Sequence, residues 1–210
     1  MKCFVFNGWV AGAEMWSRCT FARDRIFDYV ELLDGVAERA LAAVDGAVVV
    51  GFSMGGTMAL QTLLRQPEKI RGLVLVSATP CLTERKDEGW AGMGSRRTEA
   101  FRLGVSLMHP YDGTPGTEDA NVDRGLEYLR KTDLRRQLVD FSVSRQTAFP
   151  VRVLQSQRDG IVRPHNAAFL QGVFPQAKVT MLAVAGHDLP MLAPEAVDAA
   201  VAEVLAEIMS

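Results

Sequence analysis

Along the chain, short runs of β-branched and apolar residues alternate with longer stretches of helical periodicity. The short runs fall at residues 3–6, 26–29, 47–50, 73–77, 151–155 and 179–184. Several are almost continuously apolar rather than alternating, the pattern of strands covered on both faces. Helical patterns stand between them at 36–44, 55–65, 165–172 and 194–208. The last carries Val197, Val201, Val204, Leu205 and Ile208 on one side, the stripe of a helix packed on a core. Strand and helix repeating in this order predict a mainly parallel sheet of about six strands with helices on both faces.

One region breaks the rhythm. Between residues 83 and 148 there is no buried-strand pattern, only charged helical pieces at 96–108, 122–131 and 134–141 around a loop at 109–116. The expected organisation is a core of residues 1–82 and 149–210 with a helical lid insertion at 83–148. Such an insertion belongs over the carboxyl edge of the sheet, where open α/β sheets bind ligands.

Composition narrows the field. A chain of 210 residues, 48% hydrophobic, is long and apolar enough to bury a core without staples. A net charge of −2 gives no electrostatic reason for a nucleic acid partner. No apolar run approaches the roughly 18–20 residues that span a bilayer. The apolar start of the chain is interrupted at Asn7-Gly8, too early for a signal peptide. Cys3, Cys19 and Cys81 form no CxxC and leave an odd thiol, so no disulfide framework is implied. His109, His165 and His187 are too scattered to suggest zinc. The expectation is a cytoplasmic monomer without a metal or organic cofactor and without a membrane partner.

The chemistry centres on Gly51-Phe-Ser53-Met-Gly55. This pentapeptide is common by itself, but here a buried strand leads into it and a helix leads out. That context sets Ser53 on a sharp strand-to-helix turn, the arrangement of a nucleophile elbow. A serine hydroxyl needs a base, itself oriented by an acid, and in this arrangement the chain order is serine, acid, histidine. His187 fits, on a loop after the last strand pattern; His109 falls in the insertion and His165 at a helix start. Asp159 follows the strand at 151–155 and precedes Gly160, and it is preferred to Asp188, which adjoins His187. Two backbone N–H groups are also needed for the developing oxyanion. Met54, after the nucleophile, and Trp9, in the loop after the first strand, are the candidates, with the Trp9 indole walling a substrate pocket.

Together these residues resemble the α/β-hydrolase superfamily over almost the whole chain. Within it, Gly8-Trp9, Ala13-Glu-Met-Trp16, Gly51-Phe-Ser-Met-Gly-Gly56, Pro67-Glu-Lys-Ile-Arg-Gly-Leu-Val74 and Ser77-Ala-Thr-Pro-Cys81 are similar to the pimeloyl-[acyl-carrier protein] methyl ester esterases of biotin synthesis. So are Gly125-Leu-Glu-Tyr-Leu-Arg-Lys-Thr-Asp-Leu-Arg135 and Arg158-Asp-Gly-Ile-Val-Arg-Pro164. The resemblance implies a serine esterase with Ser53, Asp159 and His187 as triad. Its substrate would be a pimeloyl methyl ester borne on acyl-carrier protein, cleaved to the free carboxylate and methanol. It also implies an acyl wall in the insertion, for which Phe101 and Leu107 are the candidates. A basic lid surface would meet the acidic carrier, through Arg96, Arg97, Arg102, Arg130, Lys131, Arg135 and Arg136. Across residues 96–145, however, 9 basic residues face 8 acidic ones, and a solvated surface explains them equally. The chain departs from the family pattern at Asn7, where histidine is usual before Gly-Trp, and lacks the long Gly- and Ser-rich loop after the second strand. The residues alone leave open a general short-chain carboxylesterase or thioesterase, a carbon–carbon bond hydrolase or lyase, and a catalytically silent binding module.

Overall fold

Six strands, each parallel to its neighbours, make one sheet in the order β2-β1-β3-β4-β5-β6. They are β1 (Lys2–Phe6), β2 (Arg25–Phe27), β3 (Ala47–Phe52), β4 (Ile70–Val76), β5 (Val151–Ser156) and β6 (Lys178–Leu182). The computed structural model describes residues 1–82, 119–144, 148–184 and 186–210. Among these, the helices are α1 (Tyr29–Leu33), α2 (Val36–Ala42), α3 (Met54–Arg65), α4 (Asp119–Lys131), α5 (Arg135–Ser144), α6 (His165–Val173), α7 (Leu189–Leu192) and α8 (Pro194–Met209). No helix among the described residues is long and apolar enough to cross a membrane.

The continuous apolar runs are explained by two cores, one on each face of the sheet. Ala47 and Val49 of β3 join Ala59, Leu60 and Leu63 of α3 on one face. Val48, Val50 and Phe52 join Val197, Val201 and Val204 of α8 on the other. A strand whose residues feed alternate cores has no polar face to show. Leu126 and Leu129 of α4, with Leu138 and Phe141 of α5, extend the first core beyond the sheet.

Several boundaries differ from the sequence reading by one to three residues, and three of them bear on how the elements are built. Tyr29 is helical, not the end of the second strand, because Asp28 caps α1. The Asp28 carboxylate accepts the Glu31 N–H at 2.9 Å, and the Glu31 carboxylate accepts the Asp28 N–H at 3.2 Å, a reciprocal capping box. Strand β4 begins at Ile70, where its pairing with Ala47 starts. Strand β6 stops at Leu182 and is largely exposed, as an edge strand. The helix expected at 96–108 and the loop at 109–116 lie outside the described residues.

Sheet order reverses between β1 and β3: β2 lies outside β1, and every later strand is added outside β3. Their carboxyl ends therefore flank the switch point of the sheet, the crevice where open α/β folds bind ligands. Phe6 and Gly51 are register partners there. Helix α3 leaves this point in backbone contact with both strands. A Cβ on Gly51 would sit 2.6 Å from the Gly56 Cα, and one on Gly56 would sit 2.3 Å from the Ala78 Cβ. One on Gly55 would sit 2.0 Å from the Phe6 carbonyl oxygen. No side chain can yield at that last contact, because both partners are backbone. Gly55→Ala is expected to cost at least about 3 kcal/mol of stability, at or beyond the top of the range for overpacked sites, read as a lowered urea midpoint.

Candidate active site

Ser53 joins β3 to α3 with φ 53° and ψ −121°. A non-glycine residue held there stores about 1–3 kcal/mol of strain. The conformation is fixed from both sides. The Ser53 N–H donates to the Val76 carbonyl at 3.0 Å, while its own carbonyl accepts from Gly56 and Thr57 in the first turn of α3. The hydroxyl is thereby turned toward the carboxyl edge of the sheet. Met54 opens α3, so its N–H has no carbonyl one turn back to bond.

The structure brings the three separated residues of the sequence reading together. His187 Nε2 is 2.8 Å from Ser53 Oγ, and His187 Nδ1 is 2.8 Å from Asp159 Oδ2. A carboxylate only accepts, so Nδ1 carries the proton and Nε2 is left to accept from the serine hydroxyl. The Asp159 side chain is fully enclosed. Its Oδ1 accepts the N–H groups of Ile161 and Val162 at 2.8 and 2.9 Å, closing the turn after β5. Gly160 within that turn has an ordinary φ and open space where a Cβ would sit, so the turn does not depend on glycine there. His187 is held through its backbone: Ser77 Oγ donates to the His187 carbonyl at 2.8 Å. The Phe52 ring lies against the imidazole with centroids 5.2 Å apart. Of the other histidines, His165 is exposed at the start of α6, and His109 lies outside the described residues.

Asn7, noted in the sequence only as a departure, organises the loop after β1. It is fully buried, and its amide uses every hydrogen-bonding position it has. Nδ2 donates to the carbonyls of Ala11 and Gly12 at 2.7 and 2.8 Å. Oδ1 accepts from the Gly8 N–H at 3.0 Å and from the Trp16 indole at 3.1 Å. The turn so closed carries Trp9 and contains Val10 at φ 57°. The Trp9 indole points to α4, donating to the Val122 carbonyl at 3.3 Å and lying where a Cβ on Gly125 would clash. Among the described residues, the pocket beside Ser53 and His187 is walled by Trp9, Met54, Leu82, Leu129, Ile161 and Val162. Phe101 and Leu107 lie outside the described residues.

Sequence reasoning passed over the polar groups that hold these loops, namely Ser77, Gln155 and Ser156. Their signal is a polar residue at the buried carboxyl end of an otherwise apolar strand. Of the cations expected to meet an acidic carrier, Lys131 pairs with Glu127 and Arg135 with Asp133. Among the described residues no group of three or more histidine, cysteine or acidic side chains is arranged to hold a metal ion.

Asp188, beside His187, is the perturbed carboxyl of the site. Burial raises it to about 6, with the His187 charge opposing and the Asp159 charge adding to the shift. At this one group the folded chain therefore holds a proton that the unfolded chain has lost between about pH 4 and pH 6, and the contribution of Asp188 to stability falls as pH rises through that window. Asp188→Asn is expected to stabilise the protein by up to about 3 kcal/mol above pH 7, with the gain vanishing near pH 3.5. Urea midpoints at the two pH values measure it.

Comparison with known proteins agrees with this architecture. The sequence matches the alpha/beta hydrolase family over residues 12–200. A pimeloyl-[acyl-carrier protein] methyl ester esterase of Yersinia pseudotuberculosis is 29% identical over 193 residues, covering 80% of this chain and 72% of that protein. A lipase-esterase related protein of Clostridium acetobutylicum superposes with a TM-score of 0.72 at 11% identity, over 97% of this chain and 93% of the other. A thermophilic esterase of Thermogutta terrifontis superposes with a TM-score of 0.69 at 17% identity, over 100% and 91% of the two chains. At these identities the superpositions speak for the fold alone. With its sheet, its elbow and nine-tenths of its length matched, the chain belongs to the alpha/beta hydrolase family.

Proposed function

We propose that the protein is a serine carboxylesterase that removes the methyl ester from a pimeloyl group carried on acyl-carrier protein. The observation that carries the esterase reading is the hydrogen-bonded chain from Ser53 through His187 to Asp159. In the proposed reaction Ser53 Oγ attacks the ester carbonyl as His187 Nε2 takes its proton, and Asp159 steadies the imidazolium. The carbonyl oxygen becomes an anion received by the N–H groups of Met54 and Trp9, each donor of this kind being worth about 3 kcal/mol. His187 returns the proton to the leaving alcohol, and a water activated by the same nitrogen then frees the acid. No metal or organic cofactor enters these steps. Segment 83–148 serves as the lid.

The methyl pimeloyl substrate is supported by the named activity of the Yersinia relative and by the motifs shared with such esterases. The largely apolar pocket suits an acyl chain. Lid charge carries no weight here: Lys131 and Arg135 have acidic neighbours on their own segment, and Arg96, Arg97 and Arg102 lie outside the described residues. A carbon–carbon bond hydrolase would need free polar groups for a diketone or similar substrate. The two pocket threonines are poor candidates: Thr57 Oγ1 donates to the Thr79 carbonyl, and Thr79 Oγ1 donates within its own turn or to Asn166. A silent binding module is disfavoured by the hydrogen-bonded set of Ser53, His187 and Asp159, all three of which a receptor has no need to keep. A general short-chain esterase remains the second reading, because the same small apolar pocket suits it equally.

Short-chain p-nitrophenyl esters are expected to turn over, with Ser53→Ala reducing kcat at least about a thousandfold. A correctly folded protein without ester turnover sinks the esterase reading. Methanol release from methyl pimeloyl-carrier protein, and rescue of a biotin-requiring strain lacking its own esterase, separate the specific reading from the general one. Turnover of the artificial esters without methanol release supports the general esterase. Asn7→Ala loosens the Trp9 loop without touching substrate, so kcat is expected to fall on the order of a hundredfold, as when one oxyanion donor is lost. KM should change far less, and steady-state kinetics on a p-nitrophenyl ester reads the split.

A further inference from the structure

Gln155, the penultimate residue of β5, is almost entirely buried. Its Nε2 lies 3.0 Å from the Val162 carbonyl, 3.3 Å from the Ser156 carbonyl and 3.1 Å from Asp159 Oδ2. All three partners are acceptors, so the nitrogen of the amide and not its oxygen must face them. Oε1, turned the other way, meets no donor among the described residues. The side chain thus leaves a buried acceptor idle in order to keep an N–H against one carboxylate oxygen. That oxygen is the one that receives His187 Nδ1.

We infer that Gln155 is a positioning residue for the reaction proposed above, sharing Asp159 Oδ2 with His187 and so limiting how strongly the carboxylate favours the imidazolium. The inference rests on the reading of Ser53, His187 and Asp159 as the reacting set. Its physics is simple: an anionic oxygen that accepts a second hydrogen bond has its charge partly neutralised and offers less to the first donor. Asp159 then has all of its acceptor positions filled, two by backbone N–H groups, one by Gln155 and one by His187. The carboxylate is fixed in orientation and tempered in strength. A general base works best when it is unprotonated at the operating pH and still able to take a proton. The other groups facing His187 among the described residues are Asp188 at the start of α7, the Ser53 hydroxyl and the Phe52 ring. All three are unchanged by substitutions at 155.

The test is kcat/KM on a p-nitrophenyl ester as a function of pH for Gln155→Met, which keeps the volume and removes the donor. The acid limb is expected to move to higher pH by about half to one unit, because the undivided carboxylate keeps the imidazolium protonated longer. Gln155→Glu sets a second carboxyl beside Asp159, and the limb is expected to move in the same direction and further. A folded variant with a lower plateau or lower melting temperature but an unmoved limb overturns the inference, since a merely structural role changes only those. The wild-type protein supplies a readout that depends on neither variant folding. With glutamine labelled with nitrogen-15, the side-chain amide resonance of Gln155 is expected to titrate with the midpoint of the acid limb. A resonance flat across that range overturns the inference. Wild-type protein that folds but turns over no ester overturns the underlying reading instead. The amide titration, followed beside the His187 ring resonances, still reports the Gln155–Asp159–His187 contact in that case.

Discussion

The constraint on which the rest depends is the backbone contact between the start of α3 and the ends of β1 and β3. Gly51, Gly55 and Gly56 remove every Cβ from that junction, and Phe6 and Ala78 fill the space they leave. Because helix and sheet meet without side chains between them, the link from β3 to α3 has to turn within one residue. That residue, Ser53, is driven to positive φ, its hydroxyl faces the switch point of the sheet, and the next N–H opens a helix. Candidate nucleophile and candidate oxyanion donor are thus both products of one packing demand. They hold their geometry for as long as the helix stays against the sheet.

Among the described residues, the three non-glycine residues with positive φ all follow strands: Val10 after β1, Ser53 after β3 and Ser77 after β4. Backbone strain is concentrated at the carboxyl edge, and buried polar side chains hold it there. Asn7 closes the loop of Val10, Ser77 grips the His187 carbonyl, and Ser156 grips the Val184 carbonyl just before the His187 loop. Each grip is a hydrogen bond out of solvent, where losing a partner costs about 1–3 kcal/mol. Side chains do for these loops what ladder bonds do for the strands, and the site is rigid without being regular.

How far the chain could be read follows from the same distinction. Strands and helices announce themselves through burial, since continuous apolar runs such as Ala47–Phe52 and the stripe of α8 need no partner to be recognised. The elbow was legible because three local facts coincide: a buried strand, a small–x–Ser–x–small step and a helix. His187 and Asp159 were legible by chain order once the elbow was recognised, because that arrangement places acid and base on loops after later strands. Tyr29 was misread because its run of apolar residues outweighed the capping pair Asp28 and Glu31, a signal of two residues three positions apart. Asn7 and Gln155 were opaque for a different reason. Their partners are groups brought close only by folding: a polar residue at the end of an apolar strand marks position 155 as unusual, but nothing near either residue in the sequence says which groups it meets.

Trp9 links the loop after β1 to the helices over the crevice. Its backbone belongs to the turn that Asn7 closes, while its ring reaches α4, bonding to Val122 and lying over Gly125. A larger residue at 125 would displace the ring, because the would-be Cβ falls 2.4 Å from the indole Cδ1. Helix α4 is tied in turn to the body of the fold by Leu126 and Leu129 in the first core and by the Tyr128 hydroxyl on Gln61 of α3. The loop after β1 is therefore held from beneath by a saturated amide and from above by a helix that rests on α3, the same helix that positions Ser53. Both sides of the pocket take their position from one element, so the distance between the nucleophile and the Trp9 loop is set by the fold of the whole crevice rather than by either loop alone.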